Sequence, residues 1–433
     1  MFRAEPLTRA EVESLTSVWK ARGLVPVLIA VAAAFAAWSL LLPVVPTAVI
    51  DAGQPASLAG ISTGVFMGAT VITQVFTPWA LRTLGYRIVM AVSSLLLGIP
   101  ALGYMLGMDP LPLLTVSAIR GIGFGALSVA EAAIVAELVP LRLLGGATGV
   151  FGMVVGLAQM LALPSGLALV QVIGYNAVYV IAAVIGAVSL VACAAIPPIP
   201  PADPGVQNQQ PVRVPTWHLV LVPALALMFV TTAYGAITNF LPVSMRQLDP
   251  ISGAAFGGVM LGVMNFASMW TRFIAGKVMD RRGYPGTVLI PFQILCALGV
   301  LMMAVILALE LPVWTMFVAA LFYGAGFGGV QNEALTMMFY RLPRHKNSEA
   351  SAIWNIAFDG GTGLGSTVYG MLIVSIAFAP MFGIAAGVIA LGLVVTVLDR
   401  RLGRHRVVEV NNLSTRLRSV QAPRRYNTDK PRG

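Results

Sequence analysis

What the sequence is short of decides its class. Of its 433 residues 10% are charged and 3 are histidine, whereas soluble domains carry about 25% charged residues. So few charges cannot clothe a water-facing surface. Cysteine is scarce too: Cys193 and Cys296 both lie inside apolar runs, which argues against a disulfide framework or a cysteine-rich metal cluster. His218, His345 and His405 are scattered without metal-ligand spacing. There is no phosphate-binding loop ending in Lys-Ser or Lys-Thr, so ATP is not expected to drive this protein directly, and no cofactor is expected. Gly324-x-Gly326-x-x-Gly329 matches a dinucleotide fingerprint in letters only, because it lies in an apolar span and follows no strand.

What is present is apolar and comes in blocks. Hydrophobic residues make up 58% of the chain, and they gather into runs near the ~20 residues that cross a bilayer. Twelve spans are expected, at 24–50, 57–80, 88–107, 112–138, 147–170, 176–196, 218–244, 252–275, 287–309, 313–340, 349–374 and 379–398. Residues 1–23 mix acids and bases, unlike the basic start of a signal peptide, so the first run is expected to be retained. The formal charge of +10 tracks topology rather than nucleic acid. With spans alternating, Arg82, Arg87, Arg142, Arg213, Arg272, Lys277, Arg281, Arg282, Arg341, Arg344 and Lys346 share one side with both termini. That is the positive-inside pattern, and it makes this side cytoplasmic. The expected setting is the plasma (cytoplasmic) membrane, with the basic tail, 399–433, against its anionic inner leaflet.

A proline-rich linker, 197–217, divides the chain into halves of six spans, 24–196 and 218–398. The halves repeat one another. At an offset of 198, Gly60, Gly64, Gly85 and Tyr86 match Gly258, Gly262, Gly283 and Tyr284. At 203, Gly121, Gly123, Phe124, Gly125 and Pro140 match Gly324, Gly326, Phe327, Gly328 and Pro343. The expected fold is therefore an all-α membrane protein of two pseudo-symmetric six-helix bundles, repeated in parallel orientation.

Two motifs carry a family resemblance over residues 24–398, Gly276-Lys277-Val278-Met279-Asp280-Arg281-Arg282-Gly283 after the eighth span and Arg120-Gly121-Ile122-Gly123-Phe124-Gly125 in the fourth. The chain resembles the major facilitator superfamily. A third motif, the fifth-span pattern of antiporters, is only partly present as Gly156, Pro164 and Gly166. The resemblance implies a secondary transporter of a small organic molecule working by alternating access, with no enzymatic step. Proton-coupled efflux is the expected mode. Nutrient uptake by symport, or a non-transporting sensor, stand as alternatives.

Charges in a bilayer cost about 2.5–3.5 kcal/mol each on insertion scales, so each needs a reason. Arg120 and Glu131 share a helix face about 16 Å apart. Arg120 either organises substrate or braces helices; Glu131 either carries a proton or is buried structure. Glu333 beside Gln331 and Asn332 is a proton site or a packing residue. Asn355 and Asp359 stack four residues apart, and Asp359 either takes up protons or ties two spans together. Trp38, Gln159, Tyr234 and Asn239 are further candidate cavity residues, each also readable as plain packing. One arginine against three acids leans toward neutral or cationic substrates. Glycines four apart, Gly60/Gly64/Gly68, Gly152/Gly156, Gly258/Gly262 and Gly361/Gly365, are expected where the halves meet.

The two copies of the loop motif differ in charge. Pro78 and Arg82 stand where the second copy has Gly276 and Asp280, while Ser348-Glu349 opens the eleventh span and Gly145-Gly146 the fifth. A swapped gate is expected: Arg82 with Glu349 on one side, and Asp280 with the bare helix start at Gly146 on the other, Arg281 and Gly283 completing the motif.

Overall fold

In the computed structural model, residues 7–54, 56–199, 216–250, 253–282, 285–342, 346–373 and 375–402 are described, and all their regular structure is helical. Gly283, most of the linker and the tail lie outside them. A short helix α1 (Arg9–Ser14) opens with a Thr8/Glu11 capping box. Then follow α2 (Leu24–Leu41), α3 (Val44–Asp51), α4 (Ala56–Leu84), α5 (Tyr86–Gly98) with a 3-10 extension (Ile99–Leu106), α6 (Pro110–Leu138) and α7 (Leu144–Ala194). The second half comprises α8 (Thr216–Leu248), α9 (Gly253–Arg282), α10 (Leu289–Ala308), α11 (Thr315–Arg341), α12 (Asn347–Leu372) and α13 (Phe378–Leu402).

Local chemistry sets the breaks. Pro43 lacks an amide hydrogen, and the first span breaks there into α2 and α3. Asp109-Pro110 starts α6 with proline at its first position. The fifth and sixth expected spans follow one another within α7 with no intervening loop, as two helices that part at Gly174, where a φ of +80° and a ψ of 168° are non-helical and suit a residue without a side chain. Among the described residues nine helical segments are long and apolar enough to cross a membrane. The surface agrees: Val172, Leu111 and Leu106 are 81%, 80% and 79% exposed, an outside that suits lipid rather than water.

Packing repeats between the halves. In the first half α2 lies along α7, α4 and α5 along α6, and α5 along α7; in the second, α8 lies along α12 and α13, α9 and α10 along α11, and α10 along α13. The repeated Gly-x-Gly-x-Gly explains the match. Gly121 and Gly125 seat α6 on the α4 backbone at Phe66 and Thr70, while Gly123 seats it on α5, where a Cβ would stand 2.6 Å from Leu97 N. Gly324, Gly328 and Gly326 do the same to Met264 and Ser268 of α9 and to Cys296 of α10. Three helices thus meet backbone to backbone around each motif.

The glycines at four-residue spacing behave differently from the expectation. Gly152 and Gly156 do meet the other half, on α9, but Gly361 and Gly365 back onto α8 within their own half. Gly64 and Gly262 face outward with nothing within 4 Å. Spacing signals a smooth helix face; it does not name the neighbour.

Gly125→Val and Gly328→Val should each cost about 1–3 kcal/mol by overpacking, and Gly64→Val should be close to neutral. Thermal unfolding of the purified variants in one detergent checks this ordering.

Candidate functional site

The halves meet through two sets of polar contacts at the end that carries Arg82, Arg142, Arg281 and Arg341, here the basic end. On one side α9 lies against the start of α7. Gly145 and Gly276 touch backbone to backbone, Gly149 meets Phe273, and Gly152 and Gly156 meet Arg272 and Met269. Helix α7 has no side-chain cap of its own. The Asp280 carboxylate of the opposite half serves instead, accepting from Gly145 N at 3.0 Å and Gly146 N at 2.7 Å, where the positive end of a helix favours an anion. Thr148 and Thr336 share a hydroxyl contact of 3.1 Å, and the Tyr340 hydroxyl donates to Leu141 O.

On the other side α12 lies against α4 and α6. Arg82 Nη1 is 2.9 Å from Glu349 Oε1, with side chains 50% and 29% exposed, so the pair is worth about 0.2–1 kcal/mol. Lys346 shares Glu349 at 3.8 Å. Deeper in, Asn347 donates to Glu137 at 3.0 Å, Ser351 to Val129 O at 2.7 Å and Asn355 to Ser128 O at 3.5 Å. Deepest is Gln74 Nε2, which donates to Asp359 Oδ2 at 2.6 Å.

Of the residues singled out from sequence, Arg82, Glu349, Asp280, Gly276, Asn355 and Asp359 come together at this seam. Arg281 is exposed. Glu333 lies elsewhere: its Oε1 accepts from Gly286 N at 2.5 Å and Val288 N at 3.3 Å, holding the start of α10. Gln331 is buried, and its carbonyl takes the Trp354 indole at 3.1 Å. Glu131 is fully buried, both its oxygens without a hydrogen-bond partner. Asn239 donates to Gly235 O and to Ser366 Oγ, within the second half, and Gln159 is half-buried on α7.

Arg120 stands in a cavity of the first half, lined by Trp38, Ser62, Thr63, Phe66, Tyr104 and Ser117 among others. Its guanidinium donates to Leu97 O at 3.0 Å, Ala37 O at 3.4 Å and the Tyr104 hydroxyl at 3.5 Å. Repeat-related phenylalanines carry an aromatic stack in each half: Trp38 on Phe124 and Tyr234 on Phe327, both with centroids 4.6 Å apart.

Two seam residues escaped the sequence reading. Gln74 is an isolated amide in an apolar span. Arg272 had been counted with the loop cations, yet it is buried between α9 and α7, with Nη1 on Gly152 O at 3.3 Å and Nε without a partner. The signal that could have found both is the repeat, since they match at the offset of 198, and Gly152 is the gap that Arg272 fills.

The Major Facilitator Superfamily profile matches residues 27–366. The chain belongs to this superfamily. Membership makes it a multi-pass membrane protein of a transporter family and not an enzyme. The superfamily fold is also seen in a solved structure, the proton:xylose symporter XylE bound to 6-bromo-6-deoxy-D-glucose, with a TM-score of 0.69 at 14% identity, covering 89% of this chain and 96% of that one. Among curated proteins none matches significantly.

Burial pushes the Asp280 carboxyl, just beyond the expected eighth span, up to about 6 from its ordinary 3.8, against the pull of its two N–H partners. The contacted state therefore binds a proton more tightly than an opened, solvated one. Acid favours contact; the effect grows as pH falls through 6 and levels off below the solvated pKa. Between pH 7 and pH 5 the contact should gain about tenfold. Alkylation of a cysteine placed at Ala147, taken relative to an exposed cysteine so that the thiolate's own pH dependence cancels, should slow accordingly, and Asp280→Asn should remove the pH dependence of that ratio. Reversing Arg82→Glu or Glu349→Arg alone should speed alkylation of a cysteine at Ser348, and the double exchange should restore the slow rate.

Proposed function

We propose that the chain is a secondary active transporter that carries a small organic molecule across the cytoplasmic membrane by alternating access, coupled to protons through Asp359 and working as an exporter. Twelve spans in two six-helix bundles form the frame of this reading. Three long helices, α9, α11 and α12, fall short of the apolar threshold that nine segments reach, and these three carry buried Arg272, Gln331, Asn332, Glu333 and Asn355. Their polar residues account for the shortfall. The repeat-related contacts within each half support two bundles, and the basic end is assigned to the cytoplasm by its cations.

The observation that carries the proposal is the seam. The halves are joined at the basic end by contacts that can break without unfolding a helix: one ion pair, one carboxylate on two backbone amides, side-chain amides on the carboxylates of Glu137 and Asp359, a hydroxyl pair, and hydroxyl, amide and guanidinium bonds to carbonyls. Smooth glycine faces on α7 and Gly276 on α9 allow one half to tilt on the other. The Gln74–Asp359 bond spans the seam at its deepest polar point, so a change of charge on Asp359 alters the attachment of the halves directly. Arg82–Glu349 and Asp280–Gly145/Gly146 act as gate contacts, while Glu333 is assigned to holding α10. A second reading, uptake by symport, is favoured by the resemblance in fold to a proton:xylose symporter.

Purified protein in unbuffered detergent should release or take up protons when its substrate is added from a panel of drugs, sugars and metabolites, and Asp359→Asn should abolish the signal. A substrate-dependent signal that persists in Asp359→Asn removes that residue from coupling. Accumulation in inside-out but not right-side-out vesicles distinguishes export from uptake.

A further inference from the structure

The cavity beside Arg120 has a one-sided chemistry. Its walls are apolar, formed by Trp38, Leu41, Leu42, Val45, Pro46 and Phe66, and its polar lining comprises Arg120 with the hydroxyls of Ser62, Thr63, Tyr104 and Ser117. Among the described residues no carboxylate lines it. Arg120 is 3% exposed, and its three hydrogen bonds go to two carbonyls and a hydroxyl, which orient a guanidinium without neutralising it. The rings of Tyr104 and Phe66 stand 5.5 and 6.0 Å from its central carbon, a partial compensation worth less than an anion. The Trp38 indole N–H, on the same cavity, is buried with no hydrogen-bond partner. Indole is a donor only, and an orphaned buried donor costs about 1–3 kcal/mol.

An unneutralised guanidinium in an apolar pocket, with an indole donor that has no partner on a side chain of the same lining, has a natural complement. We infer that this cavity binds the carboxylate of a small organic acid, with Arg120 and the Trp38 indole as donors and Phe66, Leu41 and Val45 against its apolar body. The cavity is small, about 30 Å³, which suits a carboxylate on a short chain. This names the cargo class of the proposed carrier and rests on that reading. It reverses the lean toward neutral or cationic substrates drawn from counting intramembrane charges. The acids in that count are engaged or enclosed elsewhere, Glu333 on α10, Glu131 sealed in the first half and Asp359 on Gln74, while a second buried arginine, Arg272, was missing from it.

The test is calorimetric titration of the full-length protein in detergent with acetate and propionate, and with acetamide and propionamide, which keep shape but lose charge. At least one acid should bind about tenfold or more tightly than its amide. Trp38→Phe keeps an aromatic ring beside Phe124 but removes the N–H together with the pyrrole ring, so a modest fall in unfolding temperature is expected; it should weaken the acid about tenfold and the amide much less. Arg120→Lys should abolish binding of the acid. Equal binding of acid and amide, undiminished binding of the acid in Trp38→Phe, or no binding of either acid overturns the inference. Counterflow in proteoliposomes separates this from the carrier reading. Acid binding without exchange leaves the site standing and removes the carrier, whereas exchange of a neutral solute with no acid binding does the reverse.

Discussion

Hydrocarbon offers no hydrogen bonds, so a chain surrounded by it must pair its backbone amides within helices and settle every remaining polar group by side chains. Two consequences shape this molecule. Its helices are stiff, and change is left to the surfaces between them. Polar side chains are then placed where two helices meet or where a cavity admits water or solute. The seam between the halves is such a surface, and most of the buried polar contacts that cross from one half to the other gather on it at the basic end.

The scaffold is symmetric and the charges are not. Glycines at equivalent positions hold α4, α5 and α6 together in one half and α9, α10 and α11 in the other, in the same arrangement. Upon that frame the repeat-related pairs are inverted: Gln74 against Arg272, Arg82 against Asp280, Gly146 against Glu349 and Gly156 against Asp359. One side of the seam therefore closes with a half-exposed ion pair, which salt screens, and the other with a partly buried carboxylate on backbone amides, which salt reaches much less. The two sides respond to different solution conditions although they occupy equivalent places.

Sequence carried the class, the repeat and the seam contacts because each leaves a direct mark: apolar run length, matched offsets, and a carboxylate facing a helix start that has none. It carried neighbours poorly. Gly361 and Gly365 have the spacing of a contact face, but which helix fills that face is decided by the rotation of α12, and α8 fills it. Arg272 was hidden by its place near the end of a span, where an arginine ordinarily reaches the headgroups; only the side-chain-free Gly152 opposite draws it inward. The break between the fifth and sixth expected spans was legible, since Gly174 falls between residues 170 and 176 and takes a non-helical conformation there.

The first turn of α7 depends on a carboxylate that belongs to the other half of the chain. Were the halves to part at the basic end, as the proposed carrier requires, the amides of Gly145 and Gly146 would lose Asp280 together, with no capping side chain of their own to take its place. Parting the halves would then also be the fraying of a helix end, and these two amides would exchange their hydrogens with solvent on the rhythm of that motion. A carrier built this way holds its own clock, readable by isotope exchange with no label attached.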